Sequence, residues 1–157
     1  MQTTKIPESI LITDELQMRQ LGAQLIAACS SGGVIALHGE LGTGKTTMVR
    51  GALQSLGVSS GVRSPTYTLV EYYEFKPLSI AHFDLYRLSD GEELEYLGYR
   101  DYLTADTLCL IEWPDKAEGY LSDIGLNLYL AYDEKGRRLS IEPCNAWGRE
   151  IVAGLNL

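Results

Sequence analysis

The sequence predicts an α/β fold of three layers, with a central, mostly parallel sheet and an antiparallel hairpin towards the C-terminus. Three observations carry that expectation. Short apolar runs at residues 34–38 and 107–111 have the length and continuity of parallel strands buried on both faces. Apolar residues recur at helical spacing on either side of the first run. Towards the end, two β-rich segments flank Asp133-Glu134-Lys135-Gly136, as in a hairpin.

Each element follows from its local pattern. Thr13 is placed to cap a helix over residues 14–29, where Leu21, Leu25 and Ala28 recur at helical spacing and Ser31-Gly32-Gly33 ends it. A strand at 34–38 is followed, after a glycine-rich loop, by a helix over 45–56 with Met48, Val49, Ala52, Leu53 and Leu56 on one stripe before Gly57. β-Branched and aromatic residues predict strands at 66–75 and 80–86. Ser89 and Glu92 have capping-box spacing ahead of a short helix containing Leu94 and Leu97 and closed by Gly98. The strand at 107–111 runs into Glu112-Trp113-Pro114, the hairpin pairs 126–130 with 138–141, and a last helix covers 146–155.

No repeat, low-complexity tract or linker divides the chain, so one domain is expected over residues 1–157. The balance of 13 Lys+Arg against 21 Asp+Glu gives a net charge of −8, which argues against strong independent nucleic-acid binding. There is no stretch with the length and apolarity of a membrane span, and the N-terminus lacks the basic-then-apolar order of a signal peptide. Cys29, Cys109 and Cys144 are far apart without metal-ligand spacing, and are expected to be buried reduced thiols of a cytoplasmic protein. His38 and His82 are expected to pack at strand ends.

The strongest chemical signal is Gly39-Glu40-Leu41-Gly42-Thr43-Gly44-Lys45-Thr46, which fits G-x-x-x-x-G-K-[ST] at every fixed position. Average residue frequencies would produce such a match in on the order of 1% of chains this long, and the setting between a predicted strand and a predicted helix lowers that further. The fold is therefore expected to be P-loop NTPase-like. Glycines let backbone N–H groups curl around phosphate oxygens, and the helix N-terminus adds its positive dipole end. Lys45 is expected to bridge the β- and γ-phosphates, and Thr46 to ligate Mg²⁺ through Oγ1. Such an enzyme also needs a carboxylate at a strand end, and two are available, Asp84 and Glu112. Hydroxyls at Ser64, Thr66 and Thr68 stand where a nucleotide-sensing switch would lie.

Four blocks together resemble the TsaE (YjeE) family, small ATPases of bacterial tRNA threonylcarbamoyladenosine biosynthesis. They are the loop extended to Thr47, then Ser64-Pro65-Thr66-Tyr67-Thr68-Leu69-Val70, then His82-Phe83-Asp84-Leu85-Tyr86-Arg87 with Glu93-Leu94, and finally Leu110-Ile111-Glu112-Trp113-Pro114. The first block is shared by many NTPases; the other three in this order are specific. The resemblance implies an accessory ATPase that works with the TsaB and TsaD proteins, its hydrolysis resetting their complex between turnovers, with tRNA engaged only through that complex. It implies Thr46 and Glu112 as Mg²⁺ ligands and Asp84 as the residue needed for hydrolysis alongside Lys45. Nucleotide contacts are expected from Gly39, Glu40, Leu41, Gly42, Thr43, Gly44, Lys45, Thr46, Thr47, Ser64, Thr66 and Trp113. The final 40 or so residues carry no family motif, and their elements rest on pattern alone.

A small-molecule P-loop kinase is the alternative, but it needs arginines converging on the transferred group, and the eight here are scattered. A GTP-binding switch is weaker still, for want of an Asn-Lys-x-Asp sequence. With no arginine evident in the sequence as a finger over the P-loop, hydrolysis by the lone chain is expected to be slow. TsaB–TsaD docking near residues 64–68 and Trp113 is expected to stimulate it.

Overall fold

The computed structural model describes residues 9–58 and 68–155. Along the chain run β1 (Ile10–Ile12), α1 (Glu15–Ala28), β2 (Gly33–His38), α2 (Lys45–Ser55), β3 (Val70–Tyr73), β4 (Ser79–Asp84), α3 (Glu93–Tyr96), β5 (Thr107–Glu112), β6 (Ile124–Asp133), β7 (Gly136–Pro143) and α4 (Ala146–Gly154). The strands form one seven-stranded sheet of order β1-β7-β6-β2-β5-β4-β3. The inner strands β6, β2, β5 and β4 are parallel, while β7, β1 and β3 pair antiparallel at the two sides.

The continuous apolar runs of β2 and β5 are explained by burial on both faces. On one face Ile35, Leu37, Leu108 and Leu110 pack with Leu21 and Leu25 of α1, Met48 and Leu53 of α2, and Ile151 of α4. On the other, Val34, Phe83, Cys109 and Ile111 are covered by Leu94, Tyr99 and Ala117, contributed by α3 and two 3₁₀ turns, Tyr99–Tyr102 and Pro114–Ala117. The three-layer α/β architecture is thus as expected. Among the described residues no helix is long and apolar enough to cross a membrane.

Several local expectations are corrected. Asp14, not Thr13, caps α1: its carboxylate accepts the Gln17 N–H at 2.8 Å, while Thr13 donates from both its backbone N–H and its hydroxyl to the Gln17 side chain. β1 was not anticipated; three residues are too few for a period, and its pairing with β7 supplies what its sequence lacks. Of the strand expected over 66–75, residues 66 and 67 lie outside the described residues; β3 spans Val70–Tyr73, with Leu69 at φ 65° just before it and no strand at 74–75. β4 stops at Asp84, before the expected Leu85 and Tyr86, where the chain turns and Leu88 N–H bonds back to the Leu85 carbonyl at 3.0 Å. Ser89 and Glu92 form no capping box: Ser89 Oγ donates to Glu93, and Asp90 takes the Glu92 N–H at 3.0 Å. Cys109 is buried and Cys29 half-buried, but Cys144 is exposed. His82 lies inside β4 rather than at its end, fully buried.

The hairpin and last helix do form, the hairpin longer than its pattern required, with Asp133 facing Gly136 across Glu134-Lys135. α1 and α2 pack closely because Gly22 and Gly51 stand at their crossing. A Cβ on Gly22 would collide with the Met48 carbonyl, and one on Gly51 with the Arg19 backbone. That contact seats the N-terminus of α2 beside the C-terminal ends of β2, β4 and β5.

Candidate functional site

The glycine-rich loop spans from the end of β2 to the first turn of α2. Gly42 at φ 77° and Gly44 at φ 109° take left-handed conformations that a side chain would strain. Gly44 is the N-cap of α2 and provides no side-chain cap, so the first N–H groups of the helix are open to an anion. Thr43 is fully buried and its Oγ1 donates to the Glu40 carbonyl at 2.8 Å, bracing the loop from beneath. Lys45, only 5% exposed, folds its ammonium back to donate to the carbonyls of Gly39 and Glu40, the latter at 3.0 Å. The ammonium also lies 4.2 Å from the centre of the Trp113 ring. Burial pushes its pKa below the ordinary lysine value, against the upward pull of the Glu112, Asp84, Glu40 and Asp115 carboxylates.

Two strand ends bring the acids to the lysine. Asp84 and Glu112 are partners in the parallel register of β4 and β5, and are 4% and 2% exposed. Thr46 Oγ1 donates to Glu112 Oε1 at 2.9 Å, and His82 Nε2 donates to Glu112 Oε2 at 2.5 Å. Asp84 Oδ1 accepts the Tyr86 N–H at 3.0 Å. Desolvation holds the Asp84 carboxyl above its ordinary pKa; the Tyr86 N–H opposes this and the Glu112 charge adds to it. Immediately after Glu112, Trp113 turns the chain at φ 58° and sets its ring 5.0 Å from that of Tyr86.

Lys45, Thr46, Asp84, Tyr86, Glu112 and Trp113 thereby line one cavity of about 260 Å³ against the loop. Thr46 and Glu112 offer hard oxygens, the donor type of Mg²⁺, and two protein donors suit an ion that keeps waters and substrate oxygens in its shell. Among the described residues no three His, Cys, Asp or Glu side chains gather into an all-protein metal cage. Of the expected site residues, Ser64 and Thr66, with Pro65 and Tyr67, lie outside the described residues. Leu41, though exposed, lines this cavity with Thr47, while the Glu40 side chain is exposed and its carbonyl serves the loop.

A second cavity, about 430 Å³, opens on the other side of the same loop, sharing Gly42, Gly44 and Thr47. Its walls include Ile12 from β1, Met18 from α1, Arg50 from α2 and Arg137 from β7, together with Asp14 and with Glu15, whose carboxylate lies 3.8 Å from Arg50 Nη1. The hairpin grips the loop here: the Tyr132 hydroxyl donates to the Leu41 carbonyl and Arg137 Nη2 to the Gly42 carbonyl at 3.1 Å. The Arg137 guanidinium lies 4.8 Å from the centre of the Tyr132 ring. Sequence reasoning found no arginine beside the loop, because Arg137 is brought there only by the β1-β7-β6 pairing. It also missed His82, for which a signal existed: His82 and Asp84, two apart on a strand, share a face.

Comparison with known proteins places the chain in a family. Residues 12–139 match the family model described as threonylcarbamoyl adenosine biosynthesis protein TsaE. Proteins named tRNA threonylcarbamoyladenosine biosynthesis protein TsaE are similar from several bacteria. The Haemophilus influenzae protein is 43% identical over 78% of this chain and 78% of its own. The Bacillus subtilis protein is 38% identical over 69% and 68%, and the Nostoc protein 32% identical over 92% and 91%. A crystal structure of Bacillus subtilis YdiB superposes with a TM-score of 0.76 at 24% identity, over 92% of this chain and 90% of that one, a likeness of fold. The chain belongs to the TsaE family.

Proposed function

We propose that this TsaE-family chain binds and hydrolyses ATP with Mg²⁺ as an accessory subunit of tRNA threonylcarbamoyladenosine biosynthesis. In this reading its hydrolysis resets a TsaB–TsaD complex between turnovers. The observation that supports it most is the convergence of Lys45, Thr46, Asp84 and Glu112 on one cavity against the loop. Phosphates entering there would meet the open N–H groups of α2, and Lys45 would exchange its bonds to the Gly39 and Glu40 carbonyls for bonds to phosphate oxygens. Thr46 and Glu112 would hold Mg²⁺, which when bound neutralises charge building on the β- and γ-phosphate oxygens. Burial raises the Asp84 pKa, which makes its ionised carboxylate a stronger base, suited to orient the attacking water and accept its proton.

The larger cavity fits the nucleoside. It adjoins Thr47 and offers apolar walls at Ile12 and Met18 beside the cationic Arg50 and Arg137. Arg137 faces this side and not the cavity holding the acids, so it is not a finger over the transferred phosphoryl group. An arginine supplied by a partner can raise hydrolysis by about 10³–10⁵. Slow turnover by the lone chain and faster turnover with TsaB–TsaD are therefore expected. A net charge of −8 favours contact with a protein complex over direct grip on tRNA.

The test measures ATP hydrolysis by the purified chain, alone, with TsaB–TsaD, and with candidate phosphoryl acceptors. It is paired with affinity for TsaB–TsaD in the presence of a non-hydrolysable ATP analogue against ADP. Stimulation by the complex and a nucleotide-dependent affinity support the reading. ADP release that depends on a small acceptor would make the protein a kinase instead.

A further inference from the structure

We propose that His82 is a positioning residue for Glu112, fixing one carboxylate oxygen so that the other is presented to Thr46 and a divalent cation. The inference rests on the Mg²⁺-dependent nucleotide site proposed above and names a residue that acts through one of its ligands. His82 is fully buried in β4, two residues before Asp84 on the same face, so its ring points at the end of β5 rather than into either cavity. Its Nε2 lies 2.5 Å from Glu112 Oε2, while Thr46 holds Oε1 at 2.9 Å. The two oxygens of one buried carboxylate thus have separate partners, one inside the sheet and one at the cavity wall.

The other ring nitrogen identifies the donor. Among the described residues Nδ1 is buried without a hydrogen-bond partner. A proton there would be a desolvated donor with nothing to accept it, whereas a bare lone pair costs less. The ring therefore carries its proton on Nε2 and spends it on Glu112. Without that bond the carboxylate could rotate towards Lys45, whose ammonium feels the Glu112 charge more strongly than that of any other acid. Carboxylates that ligate metals are commonly held by such hydrogen bonds, and losing the partner typically costs 10–100-fold in metal affinity.

The experiment titrates Mg²⁺ against binding of a non-hydrolysable ATP analogue, by calorimetry, for the wild type, His82→Phe and His82→Gln. The same affinities are measured in EDTA, and thermal unfolding reports folding. Phe fills the space without a donor; Gln returns an N–H close to the position of Nε2. His82→Phe is expected to raise the half-saturating Mg²⁺ concentration about 10–100-fold. Affinity without metal should stay at the wild-type value, and His82→Gln should recover most of the loss. In a Glu112→Gln background His82→Phe should add no further shift, as expected of two residues acting in series. If His82→Phe does not fold, His82→Asn, whose shorter amide falls short of Glu112, is read in its place and should show the same shift. Unchanged Mg²⁺ dependence in a folded variant, or equal weakening with and without metal, would overturn the inference. A wild type that binds nucleotide indifferently to Mg²⁺ would instead overturn the site reading on which it rests.

Discussion

On one side of the glycine-rich loop Lys45, Asp84 and Glu112 are at most 5% exposed and stand at the ends of buried elements. On the other side Thr13 and Glu15 are exposed, Arg50 and Arg137 half-buried, and the cavity is larger and assembled from β1, α1, α2 and β7. Burying a charge is costly unless partners hold it, so the first arrangement persists only because each group is fixed by a neighbour. Thr46 and His82 hold Glu112, the Tyr86 N–H holds Asp84, and loop carbonyls hold Lys45. Side chains near water meet no such demand. In the proposed function the contrast separates a region that places charge for chemistry from one that binds by contact area and a few exchangeable hydrogen bonds.

The sharpest test of that division is Asp84→Ala. Loss of a positioned general base should slow turnover by about 10²–10⁴ while ATP affinity is retained, read by single-turnover hydrolysis beside direct binding. An equal loss of binding would place Asp84 among the nucleotide contacts and blur the distinction. Lys45→Ala comes next, removing an electrostatic stabiliser of charge on the phosphates and costing roughly 10²–10³ in rate. Wild-type hydrolysis by the folded variant would remove the phosphate-side assignment.

Across the loop the expected effect is smaller. Arg137→Ala forfeits a hydrogen bond to the Gly42 carbonyl and one cationic wall, worth about 0.5–1.5 kcal/mol, or roughly 2–10-fold in KM for ATP with kcat little changed. A hundredfold fall in kcat would break the comparison, since it would make the hairpin part of the chemistry.

The smallest effect is on folding. Burial raises the Asp84 carboxyl above its ordinary 3.8, so between that value and the raised one the native protein binds more protons than the unfolded chain. Stability from this group is therefore full in acid and lost as pH rises through the window. Asp84→Asn should unfold at a higher temperature than wild type near neutrality, with the gain vanishing below the ordinary carboxylate range. A gain that persists unchanged in acid would assign it to something other than ionisation.

Much of the first region was legible in the chain itself. Its loop is a contiguous stretch whose glycine positions and Lys-Thr pair fit the pattern expected of backbone curving around an anion, and its acids end short apolar runs that suit buried strands. Both are local requirements, visible over ten residues. What lay beyond was decided by competition or by distance. Asp14 displaced Thr13 as the cap because both can accept a helix N–H, and only the packed geometry chose between neighbours. The His82 bond to Glu112 joins residues 30 apart through strand register. Arg137 and Gly42, 95 residues apart, meet because β7 folds back beside β6 and β1 pairs on its far edge. A strand's alternation tells which residues share a face, but its neighbour and register follow from the total burial of the sheet. The charge-placing side was therefore written in short local patterns, and the wall that faces it across the loop exists only once the whole open sheet has assembled.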